Sequence, residues 1–243
     1  ASNNNAIVNV TSPSTAANNL VSTGTFSWAT TKTSAEINLG TLANNGGPTQ
    51  TLALLTGSVA IGAGNATISN AAPVNGLDQR GINRTTSDIG AYSFGIQVTN
   101  TSDSNTVGSG SLRSAINLAN STAGNDVIVF NLTGVNTITL GSALPTIVSA
   151  STVVGSGTAG TVTITGLGAS LLTIDGNNGD FSIFSIASGG NLSISGVTVS
   201  GANTSGNGGA FNNAGTLAVS ISTISGNSAI SKGGGFYNQG NLF

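Results

Sequence analysis

The chain contains no cysteine, methionine or histidine. Disulfide staples, zinc fingers, iron–sulfur clusters, thiol nucleophiles, histidine metal ligands and imidazole acid–base catalysis are excluded together. Charge is scarce as well: five Lys or Arg and seven Asp or Glu make up 5% of the 243 residues, against roughly 25% in an average globular chain. The surface is not that of an ordinary soluble enzyme. With a net charge of −2 and no cluster of cations to neutralise phosphates, nucleic acid is not an expected partner. No stretch approaches the ~20 consecutive apolar residues of a membrane-spanning helix. No basic stretch followed by an apolar one opens the chain, so either a leader has been removed or residue 1 is not the start of the gene product.

What is present points to a packed β structure. Hydrophobic residues reach 38%, too many for a disordered chain of low charge. Thr, Ser, Asn, Val and Ile, with 36 Gly and four Pro, favour strands and tight turns. A period is visible in the last third. Gly190-Asn191-Leu192, Gly215-Thr216-Leu217 and Gly240-Asn241-Leu242 place Leu192, Leu217 and Leu242 25 residues apart. Gly208-Gly209-Ala210-Phe211-Asn212 matches Gly234-Gly235-Phe236-Tyr237-Asn238 with one residue of slippage, which pairs Asn212 with Asn238. Each period holds three short alternating pieces, such as Leu192–Ser195, Val197–Ser200 and Ala210–Asn212. Three strands per ~25 residues, with Gly or Asn at the corners, describe one coil of a parallel β-helix. Recurrent Asn also allows stacked amide ladders.

The same rhythm extends backward through Val127–Phe130, Val162–Thr165, Leu171–Ile174 and Phe181–Ile186. Before them, Ser111 to Asn120 reads as an amphipathic helix with Leu112, Ala115, Ile116 and Ala119 on one face and Ser109 or Ser111 as N-cap. Laid over the first coil, it would cap the sheet edge. Residues 96–110 read as a polar linker. Between 77 and 92, Asp78, Arg80, Arg84 and Asp88 form a local charge cluster. A structural network is the simpler reading, because no group of tunable pKa accompanies it.

Two segments resemble known bacterial surface modules. Asn44-Asn45-Gly46-Gly47-Pro48-Thr49, then Ala53-Leu54-Leu55, Gly57–Ile61, Ala63-Gly64-Asn65, Asp78-Gln79-Arg80-Gly81, Arg84 and Asp88-Ile89-Gly90-Ala91-Tyr92, resemble the choice-of-anchor Q domain. That domain closes a pectate-lyase-like right-handed β-helix. Ser111-Leu112-Arg113-Ser114-Ala115-Ile116 is similar to the CSLREA segment that opens such helices, without its Cys and Glu. The coils from Leu171 to Asn238 resemble repeats of that family and of polymorphic outer-membrane proteins. The resemblance implies an extracellular or cell-surface bacterial protein. The closing segment here precedes the opening one, and joining Phe243 to Ala1 restores the order. Asn18-Asn19 followed by Gly24-Thr25-Phe26 echoes Asn212-Asn213 followed by Gly215-Thr216-Leu217. The expected organisation is therefore terminal coils in 1–43, the anchor-like segment in 44–95, a linker in 96–110, and capping helix plus coils in 111–243. Copies would meet head-to-tail, either within one tandem chain or as separate subunits.

Candidate chemistry is thin. Acids in the coils are Asp126, Asp175 and Asp180, and bases are Arg113 and Lys232. Asp175, Asn177 and Asp180 have some oxygen-ligand spacing for calcium, yet lack a closing bidentate Glu and also make ideal turn chemistry. Val107–Ser111 looks more like helix capping than a phosphate loop. Asn9, Asn65, Asn83, Asn131 and Asn191 begin glycosylation sequons, a frequent chance event in this composition. Trp28, Phe26, Phe211, Phe236 and Tyr237 could stack on a sugar or fill the core. The expectation is an all-β, right-handed parallel β-helix that is no enzyme and serves as the structural unit of a fibre. A glycan-binding adhesin stalk stands second, and a polysaccharide lyase or hydrolase third.

Overall fold

The computed structural model describes residues 19–22, 29–45, 48–55, 58–80, 84, 87–121, 125–148 and 160–243. They fall into two compact units. The first comprises described residues of Ala1–Arg80 and Thr86–Phe94; the second, those of Gly81–Thr85 and Gly95–Phe243.

In the first unit, β1 (Leu20–Val21) pairs in parallel with β2 (Thr30–Thr31). Helix α1 (Ser34–Ile37) starts at Thr33, whose hydroxyl accepts from the Glu36 amide while the Glu36 carboxylate accepts from the Thr33 amide. This reciprocal cap sustains a helix of one turn. Asn38 then turns the chain left-handed into β3 (Leu39–Ala43), which runs antiparallel to β4 (Thr51–Leu54). Helix α2 (Ala66–Asn70) is capped by the Asn65 side chain. The β3–β4 pairing crosses the boundary placed at 43–44, and residues 34–43 form a helix and a hairpin strand instead of a coil. The single helix expected is thus joined by two of one turn each.

The second unit is all parallel. Its strands are β5 (Ile96–Val98), β6 (Asp126–Phe130), β7 (Asn136–Thr139), β8 (Val162–Thr165), β9 (Leu172–Asp175), β10 (Phe184–Ile186), β11 (Asn191–Ser195) and β12 (Thr198–Ser200). They continue with β13 (Asn203–Thr204), β14 (Phe211–Asn213), β15 (Thr216–Ser220), β16 (Thr223–Ile224), β17 (Ser228–Ala229), β18 (Phe236–Asn238) and β19 (Asn241–Leu242). Four sheets result, ordered β19-β15-β11-β8-β6-β5, β16-β12-β9-β7, β13-β17 and β10-β14-β18. From β11 onward the chain visits these sheets in the same order twice, then returns to the first. Strand β5 lies in the stretch read as a linker: Ile96 and Val98 are buried against β6. Helix α3 (Leu112–Ser121) packs against β5, β6 and β8. Ser111 accepts from the Ser114 amide at its start, and Leu112, Ala115, Ile116 and Ala119 are all buried.

Inward positions stack in columns. Ile96, Ile128, Ile164, Ile194 and Val219 form one, and Ile138, Ile174, Val199 and Ile224 another. The sequence steps shorten toward the C-terminal end, from 36 between Ile128 and Ile164 to 25 between Ile194 and Val219.

Two corners show what the repeat demands. Gly190, Gly215 and Gly240 occupy equivalent places, and a Cβ on Gly215 would overlap the carbonyl oxygen of Gly190. Close backbone approach, not a special φ, thus explains the recurring Gly-x-Leu. Gly215→Ala should cost about 1–3 kcal/mol in urea unfolding, because the carbonyl beneath cannot retreat without breaking its ladder. At the other corner, Ile221 has φ +48° where Gly196, one step earlier, has φ +68°. A β-branched residue there is strained, and Ile221 is 85% exposed, so it gains little from burial. Ile221→Gly should stabilise the protein by about 1 kcal/mol, raising the urea midpoint.

Candidate functional site

A register of 25 residues, 27 from Phe184 to Phe211, places like on like at one end of the second unit. Leu192, Leu217 and Leu242 are direct partners. Phe184, Phe211 and Phe236 stack with ring centroids 5.2 and 5.1 Å apart and planes within 10° and 9°, inside the favourable range for offset aromatic pairs. Asn213 Nδ2 donates to Asn238 Oδ1 at 2.6 Å and to the Asn241 carbonyl at 2.9 Å, while Asn213 Oδ1 accepts from the Gly215 amide. The amide column is therefore Asn213–Asn238. Asn212, assigned to it from sequence, pairs with Tyr237 and is half-buried. Gly235 simply replaces Ala210 in register, so no residue slips.

Strands β16, β17, β18 and β19 stand last in their sheets. Exposure changes abruptly there: Leu217 is 0% exposed and Leu242 44%, Phe211 0% and Phe236 36%. Ile230 and Phe243 are also largely exposed. The end thus offers backbone edges together with apolar and amide groups whose counterparts one step below are covered.

The charge cluster is a backbone-holding network. Asp78 accepts from the Arg80 amide and guanidinium and from the Ser93 amide, with an ion pair to Arg80 at 2.6 Å. Arg80 also donates to the Ser93 carbonyl and lies 3.6 Å over the Tyr92 ring. Asp88 accepts from the Gly62 and Phe94 amides and the Ser93 hydroxyl. Both carboxylates are buried, and hydrogen bonding offsets their desolvation. Arg84 is half-buried. A second anchor escaped the sequence reading. Buried Arg113 pairs with Asp103 and donates to the Ser142 and Ala143 carbonyls, tying α3 to two loops. Nothing in local spacing marks Asp103 as its partner.

Asp175 Oδ1 accepts from the Asn177 amide within its own turn, whereas Asp180 reaches Ser205 in the next one. Among the described residues, no group of three or more His, Cys, Asp or Glu could hold a metal. Phe211 belongs to the core and Tyr237 is half-buried with Lys232 near its face; Phe26 and Trp28 lie outside the described residues. Gly108 donates to Ser114 and Ser111 caps α3, so 107–111 serves the helix start. Asn65 spends its side chain as a cap, Asn131 and Asn191 donate to Gln97 and Gly160, and Asn9 and Asn83 are outside the described residues. No described helix is long and apolar enough to cross a membrane. No family model, curated protein or solved structure matches the chain.

The Ser205 amide, and secondly its hydroxyl, hold the Asp180 carboxyl below the usual range. Bonds to the charged form favour it, so their contribution is present above the ordinary Asp pKa and lost as pH falls through the lowered one. In an NMR titration, Ser205→Ala should move Asp180 upward only part of the way to the ordinary value, because the stronger backbone bond remains.

Proposed function

We propose that the chain is a structural unit of an extracellular or cell-surface bacterial fibre, wound as a right-handed parallel β-helix and joined head-to-tail to copies of itself. The cyclic visiting of parallel sheets supports the winding, and the hand follows the strong preference of parallel crossovers for a right-handed path. The observation that supports the assembly is that leucine lies on leucine and phenylalanine on phenylalanine through successive strands, a self-matching register that a further copy can continue. A further turn from a neighbouring copy, laid on β16–β19, would continue the leucine, phenylalanine and asparagine columns. Covering Leu242 and Phe236 would contribute roughly 1 kcal/mol each, and the unpaired edges would gain backbone partners. The neighbour's β1–β2 pair has the parallel sense such a continuation requires. A near-neutral surface offers little repulsion to close association.

Such a function asks for no catalyst. The buried ion pairs bind loops, and Asp175 and Asp180 each serve a turn. At rising concentration the intact chain should form filaments visible by negative-stain electron microscopy. Phe236→Asp with Leu242→Asp, both at already exposed positions, should retain the circular dichroism spectrum and abolish them. A monodisperse monomer at every concentration, with no filaments, would overturn the proposal.

A further inference from the structure

The first unit contains a cavity of about 390 Å³, within the usual span of ligand pockets. One wall is the β3–β4 hairpin with α1, contributing Ile37, Leu39, Leu42, Leu52 and Leu54. Leu39, Leu42 and Leu52 are 42%, 61% and 45% exposed, a concentration of bare leucine on a two-stranded sheet that is intrinsically marginal. The facing wall is Ala60, Gln79 and Ile89–Tyr92. Its backbone is fixed, since the Gln79 amide donates to the Ala91 carbonyl at 3.0 Å and the Ile89 amide to the Ala60 carbonyl at 2.9 Å. Asp78 and Asp88 pin the same stretch through Ser93, Phe94 and Gly62. The charge network thus holds backbone next to one side of the cavity.

The lining states the chemistry of the occupant. Among the described residues, no Lys, Arg, Asp or Glu lines the cavity, so none of them compensates a charged ligand. Gln50, Thr51, Gln79 and Tyr92 are the polar side chains of the lining, and Gln79 Nε2 donates to the Thr49 hydroxyl, which steadies its amide. We propose that this cleft binds a neutral, mainly aliphatic small molecule with one hydrogen-bonding end, its chain against the hairpin leucines and its polar end toward Gln50 and Gln79. At about 390 Å³ the cleft has the volume of the smaller ligand pockets, which suits one small molecule. No residue of β16–β19 lines the cleft.

The test uses the intact chain with N-phenyl-1-naphthylamine as a neutral fluorescent probe and 1-decanol as competitor. Saturable fluorescence with one probe per chain, displaced by 1-decanol, is expected. Leu42→Asn, at an exposed position, should weaken probe binding about tenfold or more by replacing aliphatic wall with amide. Ala91→Trp, also exposed, should block the cleft while circular dichroism stays unchanged. Absence of saturable binding, failure of 1-decanol to displace the probe, or equal affinity in both folded variants would overturn the proposal. The last outcome would place the probe elsewhere on the chain.

Discussion

A parallel ladder with a constant step obliges every residue to sit beside its own counterpart. In the last turns of the second unit, a position is acceptable only if it tolerates a copy of itself about 4.8 Å away. Phenylalanine meets this by stacking, leucine by packing, asparagine by donating from one amide to the next, and glycine by leaving room for the carbonyl below. Charge does not meet it. Two like charges at that separation repel by about 1 kcal/mol even in water, and the cost would recur at each step. The shortage of Lys, Arg, Asp and Glu follows from the register, and Ser and Thr occupy the outward places where another fold would put ions.

Most of the charges that remain stand off the strands; Asp126 and Asp175 each sit at the end of a strand, beside uncharged partners. In the first unit, Asp78 and Asp88 accept from four backbone amides, at Arg80, Ser93, Gly62 and Phe94. Arg113 and Asp103 gather the loops around α3 in the same fashion. Regular strands satisfy one another's backbone groups; irregular segments need side chains to do so. Buried carboxylates and guanidinia are strong partners for that task.

Repetition makes much of this legible in the sequence itself. The leucine spacing, the helix face from Leu112 to Ala119 and the Asp78–Asp88 cluster rest on patterns that local sequence carries by itself. The failures share a cause. Asn212 was favoured over Asn213 because matching letters outweighed a constant step, while the ladder keeps the step and exchanges Ala210 for Gly235. Strand β5 is too short to stand out from polar neighbours, and only its pairing with β6 defines it. The β3–β4 hairpin and the Arg113–Asp103 pair depend on partners that no periodicity announces. The cavity wall is hidden in the same way, since Leu42 and Tyr92 come to line one cavity only through the fold.

The Gly190–Gly215–Gly240 corner has a bearing on how such a gene can grow. A duplication that adds one complete turn inserts a new glycine above an old carbonyl and leaves every other column matched. A duplication of any other length within the regular strands delivers a side chain to that corner and offsets phenylalanine from phenylalanine. Recombination can therefore lengthen the molecule in whole 25-residue repeats, and selection against intermediate lengths would act at the scale of a single Cβ.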